Sequence, residues 1–384
     1  MEKRGRSATD SYKRHQIIWR VLYALNHRWI CRKFNLSHED LHVEGPVLLI
    51  PNHVTAWDPL LVAMSLPDKQ VYYVASEHIF RLGFVSRLLE WLVAPIPRRK
   101  AASGADTVKA CLRHLKAGHS VCLFAEGEQS WDGLNHPVFP ATGKLVRSSG
   151  ATLVTFRLEG GYLSLPRWGK GVRRGGMHGH PVGVYPPEQL KTMRPEEIVA
   201  LIERDTFEDA WERQRQDPVA YRGKNRAEGL ETALYLCPGC RKIGTLRTRD
   251  DRIFCSCGLD LRYTETGFFS PDKPFETIRD WELWQRGELK SLDRSGADPL
   301  FGDGDMMLSK IGPEHAEEEL ARGELLQYGD RLCLGSFEFP LAAVDSMAMV
   351  QANLLLLSFE GSYYQIKALK STNLRKYLEI WKEK

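Results

Sequence analysis

The chain has no apolar run approaching the roughly 18 residues that a membrane-spanning helix needs. Its longest candidate, residues 82–97, is interrupted by Arg87 and Glu90. A signal peptide is not expected, because Arg20 breaks the first apolar stretch and no small-residue cleavage site follows. Cysteines in the pattern of a disulfide framework are also missing. Of eight, four lie close together, while Cys31, Cys111, Cys122 and Cys333 are scattered. That distribution fits a reducing compartment and one metal site. No internal repeat is present. A net charge of +4 over 384 residues is too small to argue for nucleic acid. These absences predict a cytoplasmic protein, peripheral on the cytosolic membrane face if it meets a membrane.

What is present is a folded composition, 43% apolar and 27% charged, at a length that predicts two or three domains. The basic charge is concentrated at the start. Lys3, Arg4, Arg6, Lys13, Arg14, Arg20, Arg28, Arg32 and Lys33 face only Glu2 and Asp10. Residues 17–34 read as a helix with an apolar stripe at Ile18, Val21, Leu22, Leu25 and Trp29. Such a basic amphipathic helix either lies in a membrane interface or packs on the next domain.

Short apolar runs then alternate with helical stretches. Strands are expected at 47–50, 71–75, 121–124 and 152–156, an edge strand at 95–97, and helices at 79–93 and 106–117. Strand and helix in turn predict an α/β domain over 37–187, a mixed sheet flanked by helices. Pro186 and Pro187 open an expected helical linker, 188–232, with a charged helix at 195–216. A cysteine-bearing domain follows at 233–265. Short strands and a terminal helix at 373–381, with Ser371 and Thr372 as candidate caps, predict a β-rich domain over 295–384.

The candidate catalytic motif is Asn52-His53-Val54-Thr55-Ala56-Trp57-Asp58-Pro59, one residue beyond the strand Leu48-Leu49-Ile50. His53 therefore stands at a strand end, where side chains of α/β sheets become accessible. Asp58 before Pro59 has the pattern of a helix N-cap and first helical residue. The turn between them can fold the carboxylate toward the imidazole, fixing its tautomer and freeing the other nitrogen to act as a base. The nearest hydroxyl, Thr55, has no glycine-flanked elbow, so direct attack by an acceptor is the simpler scheme. The competing reading is a capping aspartate beside an incidental surface histidine.

Two more blocks follow in order. Ile96-Pro97-Arg98-Arg99 offers fixed cations for an anionic group. Phe124-Ala125-Glu126-Gly127-Glu128-Gln129-Ser130 follows a buried strand, with Gly127 letting backbone approach a ligand. With these the sequence resembles the glycerolipid acyltransferase family, whose best-known members acylate lysophosphatidic acid. The resemblance spans about residues 40 to 160. His53 and Asp58 match its histidine and aspartate separated by four residues. Arg98 (or Arg99, one register later) matches its arginine, and Phe124, Glu126, Gly127 and Ser130 match its Phe-Pro-Glu-Gly-Thr-Arg-Ser block. Thr142 and Gly143 match a following Thr-Gly step. The resemblance implies acyl transfer from acyl-CoA or acyl-carrier protein to a lipid hydroxyl. His53 is then the base and Asp58 its orienter, with Asn52, Arg98, Arg99, Glu126, Gly127 and Ser130 at the acceptor. Glu128-Gln129 replaces the usual Thr-Arg, Ala125 the usual proline, and Thr155 stands near another expected proline. Loss of that cation weakens the case for a phosphate-bearing acceptor and leaves amino-lipid, glycolipid or other neutral-headed hydroxyls open.

Ile79, Phe80, Phe84, Leu88, Leu89, Trp91 and Leu92 could line an acyl groove or touch membrane, with core packing the preferred explanation for most. The Gly- and Arg-rich stretch 160–176, holding Arg167, Lys170, Arg173 and Arg174, could bind phosphates; a solvated loop is the preferred reading. Cys237-Pro-Gly-Cys240 and Cys255-Ser-Cys257-Gly258, with fourteen residues between them, predict a closed four-sulfur structural zinc site in a zinc ribbon. Arg241, Lys242, Arg247, Arg249 and Arg252 decorate it, and are read as compensating the thiolates rather than binding nucleic acid. The alternative to an enzyme is a catalytically degenerate adaptor that binds a lipid, protein or nucleic-acid partner through its ribbon and C-terminal domain.

Overall fold

The computed structural model describes residues 8–81, 83–98, 104–312, 316–350 and 352–383. Two compact units result, one comprising residues up to 98 together with 104–166 and 172–222, the other 167–171 and everything from 223.

The first unit opens with α1 (Ala8–Phe34), which begins well before the apolar stripe. Asn35, at a φ of 50°, turns the chain back into β1 (Leu36–His38). Then come β2 (Val47–Pro51), α2 (Asp58–Ala63), β3 (Val71–Ser76), α3 (Phe84–Val93), β4 (Ile96–Arg98), α4 (Ala105–Lys116) and β5 (Ser120–Cys122). After α5 (Ala141–Ser149), β6 (Thr152–Glu159), α6 (Gly161–Ser164) and β7 (Met177–Tyr185), three helices close the unit: α7 (Pro187–Thr192), α8 (Pro195–Thr206) and α9 (Ala210–Gln216).

Seven strands form one mixed sheet in the order β1-β7-β6-β2-β5-β3-β4. Every neighbouring pair is parallel except β6 with β7. Helices cover both faces. Val47 and Leu49 point into a layer with Ile30 and Phe34 of α1 and Leu61 and Val62 of α2. Leu48 points the other way with Ile50, into a layer with Leu115, Leu145 and Ile198 of α4, α5 and α8. Burial on both faces is why β2 reads as an unbroken apolar run.

The structure departs from expectation in four places. β7, Met-His-Gly-His-Pro-Val-Gly-Val-Tyr, escapes detection because backbone pairing with β6, not an apolar run, holds it. The residues expected to form a linker after 188 instead carry Ile198, Leu201 and Ile202 into the core, and the unit continues to Arg222. The helix expected over 195–216 is two, because the Asp209 carboxylate accepts the N–H groups of Trp211 and Glu212 and starts α9 afresh. The helix expected over 79–93 is a tight turn, Glu77–Arg81, followed by α3, with Gly83 at a φ of 61° between them.

The second unit holds a four-stranded antiparallel sheet of β8 (Arg247–Arg249), β9 (Arg252–Phe254), β10 (Asp260–Tyr263) and β11 (Phe269–Ser270). After α10 (Ile278–Lys290) come β12 (Phe301–Ile311), β13 (Glu317–Gln327), β14 (Arg331–Leu334), β15 (Phe337–Pro340), β16 (Val344–Val350), β17 (Leu354–Phe359) and β18 (Ser362–Ala368). These seven form an antiparallel sheet in the order β15-β14-β13-β12-β18-β17-β16. The last helix, α11 (Arg375–Lys382), is preceded by Asn373, whose side chain accepts the Lys376 N–H at 3.1 Å. Asn373 therefore does the work expected of Ser371 or Thr372. Among the described residues no helix is long and apolar enough to cross a membrane.

Candidate active site

β2 ends at Pro51, and the turn from Asn52 to Trp57 joins it to α2. Asp58 is fully buried, yet it does not cap α2 as the Asp-Pro pattern predicts; the cap position is Trp57, without a side-chain bond. The carboxylate faces backwards. It accepts the Val54 N–H at 2.7 Å, the Thr55 N–H at 2.9 Å and the Thr55 hydroxyl at 3.0 Å. His53 Nδ1 completes the set at 2.7 Å. A buried carboxylate is tolerable only when its oxygens are so occupied. Because the carboxylate oxygen accepts, Nδ1 carries the proton and Nε2 keeps its lone pair. The imidazole stacks on Phe124 with centroids 4.4 Å apart, and its side chain stays 18% exposed. The imidazole is thus held in place by the carboxylate and remains reachable from solvent.

Glu126 lies behind this turn. Its Oε1 accepts the His53 backbone N–H at 2.9 Å and the Asn135 amide at 2.7 Å, and its Oε2 accepts the His136 N–H at 2.8 Å. The Ser130 N–H returns a bond to the His53 carbonyl at 3.1 Å. The third block is thereby tied to the first. Burial raises the Glu126 carboxyl from its ordinary 4.5 to about 7, against three donors that favour its charge; the charge of Asp58 adds to the rise.

Residues 33–159 match the Acyltransferase family model. Within that stretch lie all three sequence blocks and the His53–Asp58 pair. The chain is also 25% identical over 130 residues to the 1-acyl-sn-glycerol-3-phosphate acyltransferases LPAT1, chloroplastic, of Arabidopsis thaliana and BAT2, chloroplastic, of Brassica napus. Each match takes in 34% of this chain. It spans little more than a third of the length of these curated relatives, 36% and 37%. Among solved structures, the crystal structure of the 1-acyl-sn-glycerophosphate (LPA) acyltransferase PlsC from Thermotoga maritima aligns with a TM-score of 0.38 and 16% identity. That alignment covers 53% of this chain and 83% of the other.

The remaining residues singled out in the acyltransferase stretch fare differently. Asn52 is fully buried, and its amide bonds the Leu158 backbone from both ends, Nδ2 to the carbonyl at 3.0 Å and Oδ1 from the N–H at 2.7 Å. It fastens the end of β2 to β6. Ser130 is also buried, with its hydroxyl accepting the Gly133 N–H at 2.9 Å. Gly127 has a φ of 71°, and a Cβ there would come within 2.3 Å of the Phe139 ring. The close approach made here is to Phe139. Arg98 lies over that same ring, 5.0 Å from its centroid. Arg99 lies outside the described residues. Gly143 serves helix packing, since a Cβ would meet the Pro195 carbonyl at 2.0 Å. In the 160–176 stretch Arg173 is buried, unlike a residue of a solvated loop. Asn135 and His136 were not foreseen; nine and ten residues beyond Glu126, they carry no local pattern.

Nor does core packing explain α3. Phe84 is 76% exposed, and Val85, Leu88 and Trp91 are exposed with it. On α1, Ile17, Val21, Leu25 and Trp29 are exposed too, and Arg14 lies over the Trp91 ring at 5.5 Å. A cavity of about 390 Å³ opens among these helices, lined by Leu22 and Trp29 of α1, Pro59 and Leu60 of α2, and Leu89 and Val93 of α3. It adjoins the helix that begins with Asp58.

In the second unit the four cysteine sulfurs lie within 4.8 Å of one another. Cys237 and Cys257 are 3.6 Å apart, Cys240 and Cys255 3.8 Å. Tetrahedral bonding at the usual zinc–sulfur length puts sulfurs about 3.8 Å apart. The donor set fits. Gly258, at a φ of 100°, makes one turn, and Gly239 packs where a Cβ would lie 3.0 Å from Cys257 Sγ. Arg241 pairs with Glu288 and Arg252 with Asp260, so these two cations answer carboxylates rather than thiolates.

Proposed function

We propose that this chain moves a fatty acyl group from an acyl thioester, acyl-CoA or acyl-carrier protein, to the hydroxyl of a lyso-phospholipid or related lipid. His53 Nε2 takes the hydroxyl proton as the acceptor oxygen attacks the thioester carbonyl. The carbon–sulfur bond breaks, and the departing thiolate receives that proton from the imidazole. Asp58 keeps Nδ1 protonated and offsets the charge that builds on the ring. The observation carrying this reading is the 2.7 Å bond from His53 to a carboxylate otherwise satisfied by backbone and hydroxyl donors. Glu126 and Ser130 act as positioning residues, and Arg98 with Arg99 supplies positive charge for an anionic headgroup.

The apolar cavity beside α2 supports a site for the acyl chain, and the exposed apolar residues of α1 and α3 support docking on an anionic membrane surface. We read the four cysteines as a structural zinc site, closed by four sulfurs and so without a catalytic position. Labelled acyl-CoA or acyl-carrier protein, offered with a panel of lyso-lipids, tests the reading. His53→Ala should lower transfer about 10²- to 10⁴-fold with the fold intact. Undiminished turnover in that variant would remove the mechanism.

A further inference from the structure

His27, Cys31 and His38 come together far from the ribbon in sequence, and nothing in acyl transfer calls for them. His27 and Cys31 are four residues apart on α1, one turn above the other on the same face. The reversal at Asn35 brings β1 back along the last turns of that helix, so His38 meets them from the strand. His27 Nε2 lies 2.7 Å from His38 Nε2 and 3.7 Å from Cys31 Sγ. All three donor atoms fall within 4.8 Å of one another. All three residues are partly buried, and Cys31 packs at the margin of the core.

We propose that His27, Cys31 and His38 form a second transition-metal site, which fastens the end of α1 to the sheet edge at β1. Two imidazole nitrogens at 2.7 Å repel unless a cation or a proton lies between them. The Asp40 carboxylate stands 3.3 Å from His38 Nδ1, on the side away from His27. The two make no hydrogen bond, but the nearby negative charge favours the proton on Nδ1, which turns the Nε2 lone pair inward. Tetrahedral zinc places a nitrogen and a sulfur ligand about 3.6 Å apart and two nitrogens about 3.4 Å apart. The His27–Cys31 separation already fits, Cys31 and His38 lie within 4.8 Å, and the imidazoles must part by about 0.7 Å on loading. Two nitrogens and one thiolate select zinc or cobalt(II) over hard cations, and water takes the fourth position. The ion crosslinks two elements adjacent in sequence, so its role is structural. It steadies the helix that exposes Ile17, Val21, Leu25 and Trp29.

Full-length protein, stripped with a chelator under reducing conditions and reloaded with zinc, gives the test. The intact chain should hold two equivalents. Cys31→Ser and His38→Gln should each hold one, with unchanged far-ultraviolet circular dichroism. In the ribbon variant Cys240→Ser/Cys257→Ser one equivalent should remain. Cobalt added to that variant should give thiolate charge-transfer absorption, and adding Cys31→Ser should abolish it. If one substituted protein fails to fold, the cobalt spectrum of the other still decides. One equivalent in the intact chain with no cobalt thiolate band in the ribbon variant would overturn the proposal, as would two equivalents persisting in both Cys31→Ser and His38→Gln.

Discussion

The Glu126 carboxylate accepts the backbone N–H of His53 at 2.9 Å, although 73 residues separate them. The same side chain holds Asn135 and His136, so one buried acid fixes the backbone beneath the proposed base and the loop that follows β5. Asp58 acts on the ring of His53 and Glu126 on its main chain. The first sets which nitrogen is free, the second where that nitrogen stands.

This arrangement predicts a pH dependence of stability. The Glu126 carboxyl titrates at about 7 when folded against 4.5 ordinarily, so between those values the folded chain binds more protons than the unfolded one. Stability therefore falls as pH rises through that window, by about 3 kcal/mol, and levels off above it. Glu126→Gln should remove that component of the slope. Urea unfolding of both proteins at pH 5 and pH 8 measures the difference. Equal slopes would mean that burial does not perturb this acid.

Asp58→Asn should separate orientation from presence. Asparagine is close in shape but cannot accept all four donors, and its amide can present an N–H to His53 Nδ1. The imidazole would then carry its proton on Nε2, where the base is needed. Transfer should fall about 10²- to 10⁴-fold, and stability by about 1–3 kcal/mol for each donor left unpaired. Activity within threefold of the parent would dismiss the tautomer argument.

Gly127→Ala tests the contact with Phe139. The new methyl meets a half-exposed ring that can move, whereas the φ of 71° is fixed by the turn. We expect a loss of about 1–2 kcal/mol from the left-handed backbone alone. Adding Phe139→Ala should relieve the collision and leave that backbone cost. Thermal melting of the single and double variants reports both parts. Full recovery in the double variant would assign the whole effect to the ring.

The proposed membrane face can be probed by charge. Trp29→Glu on α1 and Trp91→Glu on α3 alter residues that are each about half exposed, 52% and 51%. Binding to phosphatidylglycerol-containing vesicles should weaken about tenfold or more for each, with little change in melting temperature. Vesicle flotation of the parent and both variants provides the measurement, and unaltered binding would place the membrane contact elsewhere.

Much of the candidate site was legible because it is local. Asn52 to Trp57 form one turn that leads into α2, and the reach of an aspartate back to an imidazole five positions away needs no distant partner. The four cysteines were readable for the same reason: each pair closes a tight turn on its own. β2 and β5 showed as apolar runs because both faces of the sheet are covered. β7 did not, since its place depends on backbone bonds to β6 that no side-chain pattern records.

Position alone misled where residues answer to partners far along the chain. Asn52, next to His53 in sequence, and Ser130, in the third block, both turn into the protein, toward Leu158 and Gly133. Core packing was the natural reading of Phe84, Leu88 and Trp91, because an apolar stripe looks the same whether protein or lipid is to cover it. Sequence by itself therefore determined which turn brings Asp58 to His53 and which turns carry the four sulfurs, since spacing of a few residues limits how far side chains can reach. Only the tertiary structure decided that Glu126 braces His53, that Phe139 fills the space of a missing Cβ, and that His38 returns to His27. Those meetings are made by the sheet order and the reversal after α1, and contact through space carries no signature in the order of residues along a chain.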